Sequence, residues 1–131
     1  MMASYWPTPM AAQNDPTVAE GMNSSDKIVF SQTMKKADWK NTQVIGGNIV
    51  EEMKKIKSGK GNPLTILGSG SIVTLFANHG LIDHYEIMID PVAVSGGTTL
   101  FSELKGKIDL KLVSSKVFKS GVVLLSYEPL K

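Results

Sequence analysis

Residues Gly68, Ser69, Gly70 and Ser71 stand between an apolar run, "PLTIL", and a helix-like pattern, "SIVTLFANHG". A strand, a glycine turn and a helix in that order set the N–H groups of a helix start at the carboxyl end of a strand, where open α/β sheets bind ligands. Those unpaired N–H groups and the positive end of the helix dipole attract an anion. Glycine lets a phosphate approach the backbone, and the Ser69 or Ser71 hydroxyl adds a donor. The same residues also fit a tight turn in which Ser69 or Ser71 merely caps the helix. They match neither the dinucleotide fingerprint GxGxxG nor a P-loop. A second group, Ser31, Gln32 and Thr33, closes the apolar run "KIVF". Two hydroxyls at a strand end could hold a second phosphate or a ribose, and a polar strand exit is the plainer alternative. A third, "SGGTTLF" at 95–101, is a loop able to pass close to a ligand or simply to turn.

Other chemistries find little support. His79 falls at a helix end, where its positive form would meet the dipole favourably, and both His79 and His84 read as structural. No carboxylate and histidine cluster has metal-ligand spacing, so no metal is expected. The chain holds no cysteine, which excludes disulfides, thiolate metal sites and a cysteine nucleophile, and suits the cytoplasm. All 14 basic residues are lysines, so lysine point charges must stand in for a bidentate arginine clamp. A net charge of +2 is too weak and too evenly spread to argue for nucleic acid. The run "MKKIK" reads as a solvated helix face.

The elements that must position these residues follow from pattern. With 42% hydrophobic and 20% charged residues a globular core is expected, and 131 residues fit one domain, 1–131. No apolar run approaches the roughly 20 residues of a membrane helix. The amino-terminal stretch lacks the basic and apolar regions of a signal peptide. "ASYWPTP" reads as the tail of a helix, and Asp15-Pro16 opens another whose buried side is Val18, Ala19 and Met22. "KIVFS" and "TQVI" are short strands. Asn48 and Glu51 form a capping box for a helix with Ile49, Val50, Met53 and Ile56 on its inner face. "PLTIL" is a buried strand, "SIVTLFANHG" a helix capped by Gly80, and "DHYEIMIDPVAV" a strand that passes Pro91. "KIDLKLVSSKVF" alternates, with Ile108, Leu110 and Leu112 on one face. "KSG" at 119–121 turns it back into "VVLLSYEP". The class is α/β, a mixed and mostly parallel sheet flanked by helices, with a carboxyl-terminal antiparallel hairpin.

Seen together, the blocks "YWPT", "KIVFSQT", "DWKNT", "ILGSGSIV", "HGLIDHYEIMIDPVAV", "GTTLF" and "FKSGVVLLSYEP" resemble the dihydrofolate-reductase-like superfamily. Within it they are similar to bacterial reductases like the carboxyl-terminal domain of the bifunctional riboflavin-biosynthesis deaminase-reductase. The resemblance spans about Met1 to Pro129. It implies NADPH as cofactor, a small-molecule substrate and a homodimer, with neither nucleic acid nor membrane as partner. It places Gly68, Ser69, Gly70 and Ser71 at the cofactor's pyrophosphate. It places Ser31, Gln32 and Thr33 where the family has Ser-Arg-Thr, near the adenosine 2′-phosphate. Here Gln32 replaces the arginine, and a neutral amide lacks the charge-assisted fork that grips a phosphate; Lys35 is a cation close by in sequence.

Family members carry a further segment before "YWPT", with the first central strand, a substrate-side helix and another glycine turn. The resemblance therefore implies a domain incomplete at its amino end, first strand and helix missing, and assigns no catalytic residue. Uncovered strand edges and apolar helix surface lead such a chain to pair with a second copy or to aggregate. The expected activity is NADPH-dependent hydride transfer to a small heterocyclic substrate, riboflavin-pathway or pteridine-like. The alternative is a non-catalytic nucleotide-binding or dimerisation module, a truncated remnant of such a reductase. A generic α/β domain without a nucleotide site is the third reading, because fold does not decide function.

Overall fold

A computed structural model of the protein describes residues 2–67 and 69–131. Gly68, expected in the glycine turn, lies outside the described residues. The chain forms two compact units, Met1–Glu52 and Met53–Lys131.

In the first unit, α1 (Met2–Tyr5), α2 (Pro9–Asn14) and α3 (Pro16–Ser24) precede two strands. Thr8 caps α2 by accepting from the Ala11 N–H at 3.3 Å, and Pro9 takes the first helical position, which needs no N–H donor. Pro16 opens α3 in the same way, as the sequence predicts. Of the expected inner face of α3, Ala19 is buried, Met22 is half-buried and Val18 is 48% exposed. Of the two short helices only Ala11 and Ala19 are buried, and Val18 is one helical step from Ala19. Asn23 ties the end of α3 to its surroundings: its amide donates to the Trp6 carbonyl at 2.9 Å, and its side-chain oxygen accepts from the Trp39 indole at 2.8 Å. The Lys27 ammonium donates to the Met22 and Ser25 carbonyls at 2.9 and 2.7 Å and lies 4.6 Å from the Trp39 ring centroid. A cation on the carbonyl end of a helix offsets its dipole.

Strand β1 (Lys27–Phe30) pairs parallel with β2 (Thr42–Ile45), Lys27 opposite Thr42 and Phe30 opposite Ile45. α4 (Ile49–Ser58) begins where Asn48 accepts the Glu51 N–H at 3.3 Å, half of the predicted capping box.

In the second unit, α5 (Gly70–Asn78) buries Thr74, Phe76 and Ala77. Its end is a Schellman motif. Gly80 adopts φ +63, its N–H bonds to Ala77 at 3.1 Å, and the Leu81 N–H bonds to Phe76 at 2.9 Å. Strands β3 (Tyr85–Ile89), β4 (Leu110–Val117) and β5 (Val123–Pro129) make an antiparallel sheet in the order β3-β5-β4. The β4–β5 turn falls at 119–121 as predicted, with Gly121 at φ +89 and its N–H bonded to Phe118 at 3.0 Å.

Several expectations fail for identifiable reasons. The described residues form two sheets with one parallel and two antiparallel pairings, not one mostly parallel sheet. "PLTIL" joins neither sheet, and Leu64 and Leu67 are each 53% exposed. Apolar composition qualifies a segment for a strand, but a strand exists only where a neighbour accepts its ladder. β3 stops at Ile89 rather than passing Pro91, which has no N–H to give a ladder. β4 begins at Leu110, leaving Ile108 outside the strand, and beyond Leu112 a register shift before Ser114 inserts Val113 as a bulge. The lysines of the run are exposed, as expected, and Lys57 also donates to the Leu81 carbonyl at 2.7 Å and to the Asp83 carboxylate.

Candidate functional site

The predicted site residues fall into two groups, one in each unit, and each group is described by itself. In the first unit Ser31, Gln32 and Thr33 leave the carboxyl end of β1. The Ser31 N–H bonds to the Ile45 carbonyl at 3.0 Å and so carries the β1–β2 pairing one step further. The Ser31 hydroxyl oxygen accepts from the Met34 N–H at 3.0 Å and the Thr33 N–H at 3.4 Å, closing a tight turn. The Gln32 amide is bound at both ends to one residue: it donates to the Gly47 carbonyl at 2.7 Å and accepts the Gly47 N–H at 3.2 Å. Thr33 is exposed.

Gly46 and Gly47 are the partners that sequence reasoning missed. Gly47 holds φ +75, and a Cβ on Gly46 would stand 3.1 Å from the Ser31 carbonyl oxygen. The available signal is the Gly-Gly pair directly after "TQVI", a turn marker. A cavity of about 630 Å³ opens at the other end of the strand pair, between Lys27, Trp39, Asn41 and Thr42. It holds none of the predicted site residues.

In the second unit Ser69, Gly70 and Ser71 form the amino-terminal end of α5, with Ser69 at the N-cap position. Ser69 has φ −103 and ψ 89 and makes no side-chain hydrogen bond to the first turn. Of the two serines that the plainer expectation offers as caps, Ser69 does not cap the first turn. The first N–H groups of a helix have no intrahelical acceptor, so this end retains donors for an anion. A Cβ on Gly70 would meet Leu100 only at 3.9 Å, an ordinary contact, so bulk alone does not demand glycine there.

The glycine-rich loop is held against this helix. Thr74 donates to the Leu100 carbonyl at 3.0 Å. One turn on, the Asn78 amide donates to the Glu103 carbonyl at 3.1 Å and accepts the Lys105 N–H at 2.8 Å. Both residues lie on one face of α5, and neither carried a sequence signal beyond a polar side chain inside an apolar helix. His79, at the C-cap, has Nδ1 2.9 Å from the Leu75 carbonyl, and His84 Nδ1 stands 3.8 Å from Glu128; both fit the structural reading. Among the described residues no group of His, Cys, Asp and Glu could hold a metal, and no helix is long and apolar enough to cross a membrane.

Beside the loop lies an apolar cavity of about 170 Å³ lined by Tyr85, Phe101, Leu104, Ile108 and Leu110. The rings of Tyr85 and Phe101 are tilted at 6.3 Å. Burial pushes the Tyr85 phenol above its ordinary range, because the phenolate is poorly solvated there. A folded-state pKa above the unfolded one means that the native protein holds its proton longer. This contribution to stability is intact below pH ~10 and is lost as pH climbs toward the folded value. Alkaline denaturation followed by circular dichroism should show that loss, and Tyr85→Phe should flatten it.

A family model described as the RibD C-terminal domain matches residues 1–124. Protein YyaP of Bacillus subtilis (strain 168) is 38% identical over 106 residues, which is 81% of this chain and 56% of YyaP. Protein YwjB of the same strain is 33% identical over 70 residues, 53% of this chain and 40% of YwjB. The chain thus spans about half the length of the curated relatives it matches. Among solved structures, a candidate riboflavin biosynthesis protein from Shewanella sp. PV-4 superposes with a TM-score of 0.73 at 23% identity, covering 91% of this chain and 71% of that one. A pyrimidine reductase-like protein from Corynebacterium diphtheriae gives 0.61 at 14% identity, covering 79% and 50%. At these identities the likeness is one of fold.

Proposed function

The chain belongs to the RibD C-terminal domain family, and from that premise we propose that it is a reductase of the riboflavin-biosynthesis type. NADPH, when bound, supplies the hydride, and the acceptor is a small heterocycle of the pyrimidine or pteridine kind. The observation that carries this reading is the amino end of α5, where the Ser69 side chain makes no cap hydrogen bond. There Ser69, Gly70 and Ser71, with Gly68, would bind the cofactor's pyrophosphate. Ser31, Gln32 and Thr33 would meet the adenosine end. Thr74 and Asn78 would hold the loop at 100–105 in place beside the helix. A second copy of the chain is the proposed partner and the cytoplasm the proposed location. The three-stranded sheet presents Ile89 and Val117 as exposed apolar side chains that a partner could cover.

The test is a fluorescence titration of the chain with NADPH at fixed salt, followed by NADPH oxidation with pyrimidine and pteridine substrates. Saturable binding at a Kd of micromolar order together with turnover is the expected result. Binding without turnover would assign the chain to a non-catalytic nucleotide-binding module. No binding would remove the nucleotide site altogether.

A further inference from the structure

We propose that the β1 exit is built for a ribose 2′-hydroxyl, so that this chain takes NADH at least as readily as NADPH, the neutral hydroxyls of Ser31 and Thr33 setting the preference. The inference rests on the reductase reading above, in which this exit meets the adenosine end of a nicotinamide dinucleotide. It concerns which dinucleotide.

The Gln32 side chain is a lock between two strand exits rather than a free ligand group. Its donor and its acceptor both go to the Gly47 backbone, at 2.7 and 3.2 Å. Gly47 offers both groups to one side chain with φ at +75, the left-handed region that glycine enters without strain. A side chain on Gly46 would press on the Ser31 carbonyl at 3.1 Å and push the exits apart. To reach a ligand, Gln32 would have to surrender both bonds and leave Gly47 to water.

What remains at the exit is neutral. The two acceptor positions of the Ser31 hydroxyl are taken by the Met34 and Thr33 N–H groups, so its proton is what it has left to give. Thr33 adds an exposed hydroxyl. Neutral hydroxyls pair well with ribose hydroxyls. A 2′-phosphate calls for charge-assisted donors, best an arginine fork, and this sequence contains no arginine. Lys35 and Lys36 follow closely, but both are exposed, and an exposed ammonium on a flexible stem is screened over about 10 Å at 0.1 M salt.

The experiment titrates the intact chain with NADH and with NADPH at low and at physiological salt. The two Kd values should agree within about threefold, or favour NADH, at physiological salt. NADPH tighter by about tenfold or more would overturn the inference and leave the reductase reading standing. No saturable binding of either dinucleotide would instead overturn the reductase reading, and this inference with it. Gln32→Arg should shift the ratio toward NADPH by about tenfold. A Lys35→Ala, Lys36→Ala double variant should leave the ratio unchanged; selective loss of NADPH binding would show that the lysines read the phosphate and would sink the proposal. Amide exchange at Gly47 supplies a readout that needs no ligand. It should quicken in Gln32→Ala, and equal rates in the two proteins would dissolve the lock.

Discussion

Ser69→Asp is expected to melt higher than the wild type and to bind NADPH about 100-fold more weakly. The two effects have one cause. Ser69 occupies the N-cap position of α5 without using its side chain as a cap. Aspartate is among the best N-cap residues, so its carboxylate can accept a first-turn N–H and meet the positive end of the dipole. Together these contribute about 1 kcal/mol, or roughly 3 °C for a chain of this size. The same carboxylate then stands where a pyrophosphate would sit. Like charges about 4 Å apart repel by about 4 kcal/mol near a protein surface, and screening reduces this to the two or three that correspond to about 100-fold. Ser69→Asn is the control, since it caps without charge: it should gain stability and lose less affinity than Ser69→Asp, only that of the one donor its cap occupies. A thermal melt and an NADPH titration on the same preparations check both. If Ser69→Asp gains stability and keeps full affinity, the turn is a cap and nothing more. If it loses stability, the helix does not begin at Gly70.

Where a signal was local, the sequence was legible. "TQVI" reads as a strand and is β2 to the residue, because β-branched residues flanked by polar turn residues suffice to mark it. Asn48 ahead of α4, Gly80 after α5 and the turn at 119–121 were readable for the same reason: each depends on a few neighbouring residues. The failures are all partner-dependent. Leu64 to Leu67 have the composition of a core strand but no ladder to join. The bulge at Val113 depends on how β4 meets β5, which alternation along one strand cannot reveal. The site divides in the same way. The pattern placed Ser69 at the start of α5, and only coordinates show that its side chain makes no cap hydrogen bond. Gln32 looked like a substituted phosphate ligand, and its bond to Gly47 lies across a gap of 15 residues that no motif spans. Thr74 and Asn78 reach 26 and 25 residues ahead, to Leu100 and Glu103.

Phe76→Ala should be the most destabilising single change in the second unit, by about 3–5 kcal/mol. Its side chain is 2% exposed on the inner face of α5, between the buried Thr74 and Ala77. The backbone of Phe76 already anchors the Schellman motif through the Leu81 N–H, a bond that the substitution leaves intact. What is lost is ring burial, together with the cavity left behind. Against a net stability of about 5–15 kcal/mol for a folded domain, that is enough to lower the melting temperature by roughly 10 °C. Met88→Ala on β3, where Met88 is 61% exposed, should stay within about 0.5 kcal/mol in the same urea titration. The contrast with Ser69→Asp carries the functional meaning. Phe76→Ala lowers the population of folded α5 but does not alter the N–H groups that its amino end presents. Below its melting temperature it should therefore bind NADPH nearly as the wild type does, and excess ligand should restore stability by mass action. Ser69→Asp should show the reverse pattern, a stable fold that ligand cannot stabilise further. A Phe76→Ala chain that stays folded yet has lost NADPH affinity would place the binding determinant in the packing of α5 rather than at its amino end.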